Sequence, residues 1–328
     1  MSTVTFADAT LRAMREEMAR DERVFVMGED IARQGGIFGQ FKGLADEFGT
    51  ERVRDTPISE TAIVGAGIGA ALAGMIPVID MHFADFLGVA MDEVLNQMAK
   101  IRYMFGGQAQ LPLVLRAPDG VTRSGAAQHS QSLEALFLHI PGLKVVAPSN
   151  PQDARGLLKA AIRDPNPVIY FEQKDLFRRR GEITDDDALT PIGRAHLRRH
   201  GDSLTIVSYS RMLTEVEAVC DQLGPEFQGR IEVIDLRTIV PMDVETVLRS
   251  VRKTHRILIV HEAVKRGGVG AELAAEVAEQ AIDWLDAPVV RIGAKPFPIP
   301  FSPVLEPIIV PQRDDVAEAI NGLLTYRL

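Results

Sequence analysis

Three short stretches of this chain carry residue types that could do chemistry. In TPISETAIVGAGIGAALAG, residues 56–74, Gly65, Gly67 and Ala70 satisfy G-x-G-x-x-G/A, the spacing that seats a dinucleotide pyrophosphate on a helix N-terminus. Such a turn needs a full strand running straight into the first glycine. Only Ala62, Ile63 and Val64 precede Gly65, behind Pro57, Ser59 and Glu60. The latter three suit the start of a helix, with Ser59 as N-cap and Glu60 as an acid in the first turn. A helix from Ser59 would enclose Gly65, Gly67 and Gly69, whose shared property is then small size. Close backbone approach would be their purpose, set against a cost of about 1 kcal/mol per glycine relative to alanine. Glu60 stands among the apolar Ile58, Ala62, Ile63 and Val64. Desolvation there would favour the protonated carboxyl, which could donate a hydrogen bond near neutral pH. A flavin or nicotinamide site on Gly65, Gly67 and Ala70 is the alternative.

The second stretch is AAQHSQS, where His129 stands between an expected strand ending near Arg116 and a helix beginning near Ser130. Its imidazole is either a loop or cap group or, with an unperturbed pKa near neutrality, an acid–base group. His139, on the apolar end of that helix, is read as structural. In the third stretch, AIRDPNP, Asp164 and Pro165 form an ordinary helix stop.

The bulk composition excludes several classes. A formal charge of −9 argues against a nucleic-acid binder, which would carry a basic stripe to neutralise phosphates. The one dense basic run, Arg178 to Arg180, is answered by Asp185 to Asp187, as in a solvated linker. Cys220 is the single cysteine, so no disulfide can form within the chain and no C-x-x-C exists, which points to a reducing compartment. No apolar run approaches a membrane span, and MSTVTFADATLRAMREEMARD lacks the apolar core of a signal peptide. A cytoplasmic protein without membrane or nucleic-acid partners is expected.

At 328 residues the chain suits two domains. Short β-rich runs alternate with helical segments, predicting an α/β protein of two doubly wound domains with mainly parallel sheets. First-half strands are expected at 24–28, 77–81, 111–117, 144–148 and 167–172. One helix is expected over 86–104, with Ala90, Val94 and Met98 as its apolar row, and another from the cap Asn150 to Pro165. The polar stretch before Pro191 sets the boundary: residues 1–180 form one domain, 181–191 a linker and 192–328 the second. Beyond it, strands are expected at 203–210, 230–240, 256–263 and 288–293. The helices between them run through Cys220, over 243–252 and over 270–285, with a last one from about Val316.

MGEDI, DTPISE, VGAGIGAALAG, LNQMAKIRYMFGG, AAQHSQSLEA, HIPGLKVVAPSNPQDARGLL and AIRDPNPVIYFE, in this order, resemble the β subunit of the thiamine-diphosphate-dependent component of 2-oxo acid dehydrogenase complexes. VIDLRTIVPMD and KTHRILIVHEA extend the resemblance to the C-terminal half, and the pyruvate and acetoin members look most similar. The resemblance implies a transketolase-like pyrimidine-binding domain followed by a transketolase C-terminal domain. It implies that Glu60 faces the cofactor's aminopyrimidine and acts as a general acid through it. Ile58, Phe86 and position 82 would line the same pocket, although relatives often hold Met or Gln where this chain has His82. His129 is implied in handling the acyl intermediate and its transfer to lipoyl groups. Leu113, Ala161, Asp164 and Asn166 would surround a structural potassium ion through carbonyls and an acid.

The family grips the diphosphate through Mg2+, with a G-D-G block and a later asparagine, and no G-D-G occurs here. The resemblance therefore implies an alpha subunit that holds Mg2+ and the diphosphate, an alpha2beta2 heterotetramer, and docking to a dihydrolipoamide acyltransferase. The implied reaction is oxidative decarboxylation of pyruvate or a related 2-oxo acid with reductive acylation of lipoyl groups. Cleavage of acetoin is the alternative, and a non-catalytic assembly subunit a further one.

Overall fold

The computed structural model describes residues 1–184 and 186–327; Asp185 and Leu328, which the expected linker and second domain include, lie outside them. The chain divides into two compact units, Met1–Asp119 with Leu136–Ile192, and Gly120–Ala135 with Gly193–Leu328. Among the described residues no helix is long and apolar enough to cross a membrane.

The first unit begins with β1 (Ser2–Thr5) and α1 (Phe6–Arg20), whose start is fixed by a capping box between Thr5 and Asp8. There follow β2 (Val24–Gly28), α2 (Leu44–Phe48), β3 (Val53–Asp55), α3 (Glu60–Leu72) and β4 (Ile76–Asp80). The chain continues with α4 (Ile101–Met104), β5 (Val114–Asp119), α5 (Glu134–Leu138), whose first two residues count with the second unit, β6 (Lys144–Val146), α6 (Pro151–Ile162), β7 (Val168–Gln173) and β8 (Arg180–Ile183). The strands of the main sheet run in the order β6-β7-β5-β4-β2-β3. Neighbours are parallel, with Gly28 opposite both Asp55 and Asp80. Val24, Val26, Val78, Val114 and Val168 of these strands are buried together with Met14 and Met18 of α1 and Leu157 and Leu158 of α6. The α6 start is the expected one: Asn150 accepts from the Asp153 N–H, and Pro151 occupies the first turn.

Two expectations for the first unit fail locally. The single helix expected over 86–104 is broken into a 3-10 turn (Ala84–Gly88), a π-helical turn (Glu93–Met98) and α4. The apolar row Ala90, Val94 and Met98 is nevertheless buried. In the wide turn the Ala99 N–H reaches back to the Val94 carbonyl, an insertion of the kind that often marks functional positions. The acids near the boundary do not answer Arg178 to Arg180 either. Asp187 pairs with Lys159 and Arg163, and the Asp186 carbonyl accepts from Arg155. They neutralise one face of α6, whose Arg155, Lys159 and Arg163 also reach Glu16 and Glu17 of α1. Asp185 lies outside the described residues.

The second unit holds β9 (His196–Arg199), β10 (Leu204–Ser208), α7 (Ser210–Gln222), β11 (Ile231–Asp235), β12 (Thr238–Val240) and α8 (Val244–Thr254). It ends with β13 (Ile257–Val264), α9 (Val269–Ala281), β14 (Val290–Ala294), α10 (Glu306–Ile309) and α11 (Arg313–Thr325). Its sheet order is β14-β13-β10-β11-β9, parallel except for β9. The run expected as one strand over 230–240 is interrupted because Arg237 adopts φ +57° and its N–H bonds to Asp235 Oδ1, a tight turn that separates β11 from β12.

Candidate active site

In an open parallel sheet, ligands are taken at the carboxyl ends of the strands. Three adjacent strands of the first unit, β4-β2-β3, end at Asp80, Gly28 and Asp55, and each is followed within a few residues by a titratable group. Glu29 follows β2, His82 follows β4, and Glu60 opens α3 after β3. His82 takes the left-handed φ of +61°, held by its own N–H donating to Asp80 Oδ2 at 3.2 Å. Its Nδ1 is buried without a hydrogen-bond partner and lies 3.9 Å from Glu29 Oε2. Burial raises the Glu29 pKa, the His82 imidazole opposes that rise, and the Glu60 carboxylate adds to it, so Glu29 lies within the fields of both.

Glu60 is half-buried at the first position of α3. Ser59 is the N-cap residue, but its hydroxyl makes no capping bond. The apolar surroundings expected for Glu60 are not supplied by its neighbours in sequence, since Ile63 and Val64 turn into the core while Ile58 is 81% exposed and Ala62 is exposed. The start of α3 is tied to the segment carrying Phe86 by Thr61, whose hydroxyl donates to the Val89 carbonyl at 3.1 Å. Phe86 is half-buried and stacks edge-on against Phe83 at 5.7 Å, and Phe83 continues the aromatic row to Phe38.

The glycine fingerprint is not a phosphate turn. Gly65, Gly67 and Gly69 all lie inside α3, and β3 ends at Asp55, too far upstream to deliver a strand into Gly65. Gly67 is required by packing: a Cβ there would stand 2.2 Å from Ile79 Cδ1 of β4. This removes the support for the flavin or nicotinamide alternative.

Two features of the first unit were not singled out from the sequence. Asp80 is fully buried beneath His82, and burial pushes its pKa up to about 6 against the opposing charge of Arg116. Arg116, itself fully buried, makes a bidentate pair with Glu172 at 2.7 and 2.8 Å and covers the Phe41 ring. The available signal was an acid at the end of an otherwise apolar strand.

His129 belongs to the second unit, within Gly120–Ala135. It is half-buried, and its N–H reaches the Ala126 carbonyl at 3.4 Å. The same segment brings Glu134 against Tyr209, whose hydroxyl donates to Oε1 at 2.6 Å, and burial raises the Glu134 pKa. His139 is exposed beyond the end of α5.

The four residues expected around a potassium ion gather near the ends of α6, β5 and β7, with their oxygens largely engaged. The Leu113 carbonyl accepts from Val168 and the Ala161 carbonyl from Asp164. The Asp164 carboxylate pairs with Lys144 and accepts twice from Asn166, whose own Oδ1 accepts from Arg102. The Asp164 side chain is committed to the loop, and the Ala161 carbonyl also faces the Arg163 N–H. Among the described residues no group of three or more His, Cys, Asp or Glu side chains could hold a metal ion.

Residues 2–180 match the transketolase pyrimidine-binding domain and residues 193–316 the transketolase C-terminal domain, which define a two-domain protein of the transketolase type. The 2-oxoisovalerate dehydrogenase subunit beta of Bacillus subtilis (strain 168) is 43% identical, over 99% of this chain and 100% of that protein. The pyruvate dehydrogenase E1 component subunit beta of Rhizobium meliloti (strain 1021) is 44% identical, over 98% of this chain and 70% of that one. The acetoin:2,6-dichlorophenolindophenol oxidoreductase subunit beta of Bacillus subtilis (strain 168) is 42% identical, covering 98% and 97%. The chain belongs to the family of beta subunits of 2-oxo acid and acetoin dehydrogenase components. A solved structure described as a split gene transketolase, inactive beta4 tetramer, shares the fold with a TM-score of 0.80 at 22% identity, covering 99% of each chain.

Proposed function

We propose that this chain supplies the aminopyrimidine half of a thiamine-diphosphate site. Its partner would be an alpha subunit that holds Mg2+ and the diphosphate, in an alpha2beta2 enzyme that decarboxylates pyruvate or a related 2-oxo acid. Acetoin cleavage is the second reading, supported by the 42% identity to an acetoin-oxidising relative. Support for the cofactor comes from one observation: a half-buried carboxyl at the head of α3, an imidazole with a buried, partnerless Nδ1, and a half-buried aromatic ring are carried by segments joined through Thr61 and Val89.

Thiamine diphosphate, when bound, would supply an electron sink for the carbon left by cleavage, and a lipoyl disulfide would be the two-electron acceptor for the acyl group. Glu60 would hold and exchange a proton at the pyrimidine ring nitrogen from its place at the first position of α3. Phe86 and Ile58 would contribute apolar surface; the exposure of Ile58, at 81%, leaves it free to meet a ligand or a partner chain. His82 would offer Nδ1 to a polar group of the cofactor. His129 would handle protons during transfer to the lipoyl sulfur, with docking to a dihydrolipoamide acyltransferase. A potassium ion, if held, would be bound by the Leu113 and Ala161 carbonyls. A cytoplasmic location is part of the same reading.

The test is Glu60→Gln in the co-expressed alpha–beta pair, assayed against pyruvate, acetoin and branched 2-oxo acids. Turnover should fall by about 10²–10⁴-fold for the preferred substrate while thiamine diphosphate, followed by calorimetry, still binds. Unchanged turnover would refute the role of Glu60 and favour an assembly subunit.

A further inference from the structure

The segment Gly120–Ala135 is held in a conformation that its own sequence does not favour. Ser124 and Ala126 adopt φ of +62° and +60° without being glycines. Between them, a Cβ on Gly125 would stand 2.6 Å from Ser130 Oγ, so the turn is closed tightly onto the residue after His129. Non-glycine residues in this region persist when the surroundings over-determine them. Backbone bonds close the segment, among them Gly120 N–H to the Gln131 carbonyl at 3.0 Å, Gly125 N–H to the Thr122 carbonyl at 2.9 Å, and the weak His129 N–H to Ala126 contact.

The decisive restraints come from elsewhere in the second unit. Glu262, near the end of β13, accepts the Val121 N–H at 2.7 Å and the Ser132 hydroxyl at 3.4 Å through Oε1. Its Oε2 accepts from Arg211 Nη1 at 2.7 Å, and the carboxylate is almost wholly buried. One side chain thus binds both limbs of the loop, eight residues before and three residues after His129. Glu306 accepts the Ser124 N–H at 3.1 Å, and Val121 packs with Ala294, Ile299 and Val310. Tyr209 holds Glu134 at the far end.

We propose that Glu262, oriented by Arg211, is a positioning residue for His129: it registers both limbs of the 120–135 loop to the second unit and so fixes where the imidazole stands. A charge-assisted carboxylate suits the task, because it can accept a backbone N–H, a hydroxyl and a guanidinium at once. This rests on the role proposed for His129 in acyl transfer.

The experiment uses the full chain co-expressed with its alpha subunit, comparing Glu262→Gln, Glu306→Gln and His129→Ala with the parent. Deuterium uptake of peptides spanning 120–135 reads the anchoring directly. Lipoyl-dependent and 2,6-dichlorophenolindophenol-coupled turnover read the chemistry. Glu262→Gln should increase uptake in 120–135 and lower the kcat of lipoyl acylation on the order of 10–100-fold, leaving dye-coupled turnover near that of the parent. Unchanged uptake, or equal loss in both assays, would overturn the proposal. Glu306→Gln, which releases only the Ser124 end, should give the same pattern in smaller degree and keeps the test open should Glu262→Gln not fold. If His129→Ala retains full lipoyl acylation, the role of His129 fails while the uptake result still decides whether Glu262 anchors the loop.

Discussion

Gly67 offers a quantitative check on the reading of the glycines as packing residues. It is buried in α3, and the methyl of an alanine there would lie 2.2 Å from Ile79 Cδ1, 2.9 Å from Ile79 Cγ1 and 3.3 Å from Leu113 Cδ1. Carbon contacts are optimal at about 3.5–4.0 Å, so the first overlap exceeds 1 Å or so. Ile79 and Leu113 are both fully buried, which leaves the isoleucine little room to swing away. Gly67→Ala would gain about 1 kcal/mol of helix propensity and lose about 1–3 kcal/mol to overpacking, a net destabilisation of roughly 0–2 kcal/mol. Ile79→Ala alone should cost about 2–5 kcal/mol through its cavity. In the double variant the new methyl enters the space the isoleucine vacates, so the two effects should fall short of their sum by about 1–3 kcal/mol. Gly69→Ala is the control: nothing lies within 4 Å of its would-be Cβ, so it should stabilise by roughly the full helix-propensity gain of about 1 kcal/mol. Denaturant or thermal unfolding of the purified chain reads all four. Additivity of Gly67→Ala and Ile79→Ala within about 0.5 kcal/mol, or a Gly67→Ala as stabilising as Gly69→Ala, would refute the packing account.

Two buried groups of the first unit give further predictions. Asp80 has a folded pKa of about 6 against 3.8 for the free side chain, so the folded state binds more protons between these values and stability falls as pH rises through that window. The span corresponds to about 3 kcal/mol; Asp80→Asn should therefore gain by about that amount relative to the parent between pH 4 and pH 7, and a flat difference in unfolding free energy over that range would contradict it. Arg116→Met strands the Glu172 carboxylate, which is fully buried, and should destabilise by about 3–5 kcal/mol. Adding Glu172→Leu should recover much of that loss, and a double variant as unstable as the single one would show that the pair is not the cause.

What could be read ahead of the structure follows the range of the forces involved. β2 was legible to the residue because VFVMG is a buried strand bounded by polar turns, and the start of α6 because Asn150 and Pro151 act within one turn. The start of α3 was legible for the same local reason, and with it the rejection of the phosphate turn. The π-turn at 93–98 was not, since the four-residue apolar spacing is equally satisfied by a regular helix. Nor were the partners of Asp187, because Lys159 and Arg163 reach it only once α6 is folded.

The least legible feature was the unit to which His129 belongs. Its neighbours in sequence are flanked by β5 on one side and the returning chain of the first unit on the other, and nothing within the segment announces its allegiance. The bond that decides it joins Val121 to Glu262, 141 residues apart. A carboxylate that close to the end of an apolar strand looks, in sequence, like any polar strand terminus. Only the simultaneous arrival of a backbone N–H, a hydroxyl and a guanidinium explains why an acid is buried there. The two acids of this region differ in the same terms: Glu60 is half-buried in the first turn of α3, where the helix dipole suits a carboxylate, whereas Asp80 is accounted for by the His82 backbone and the charge of Arg116.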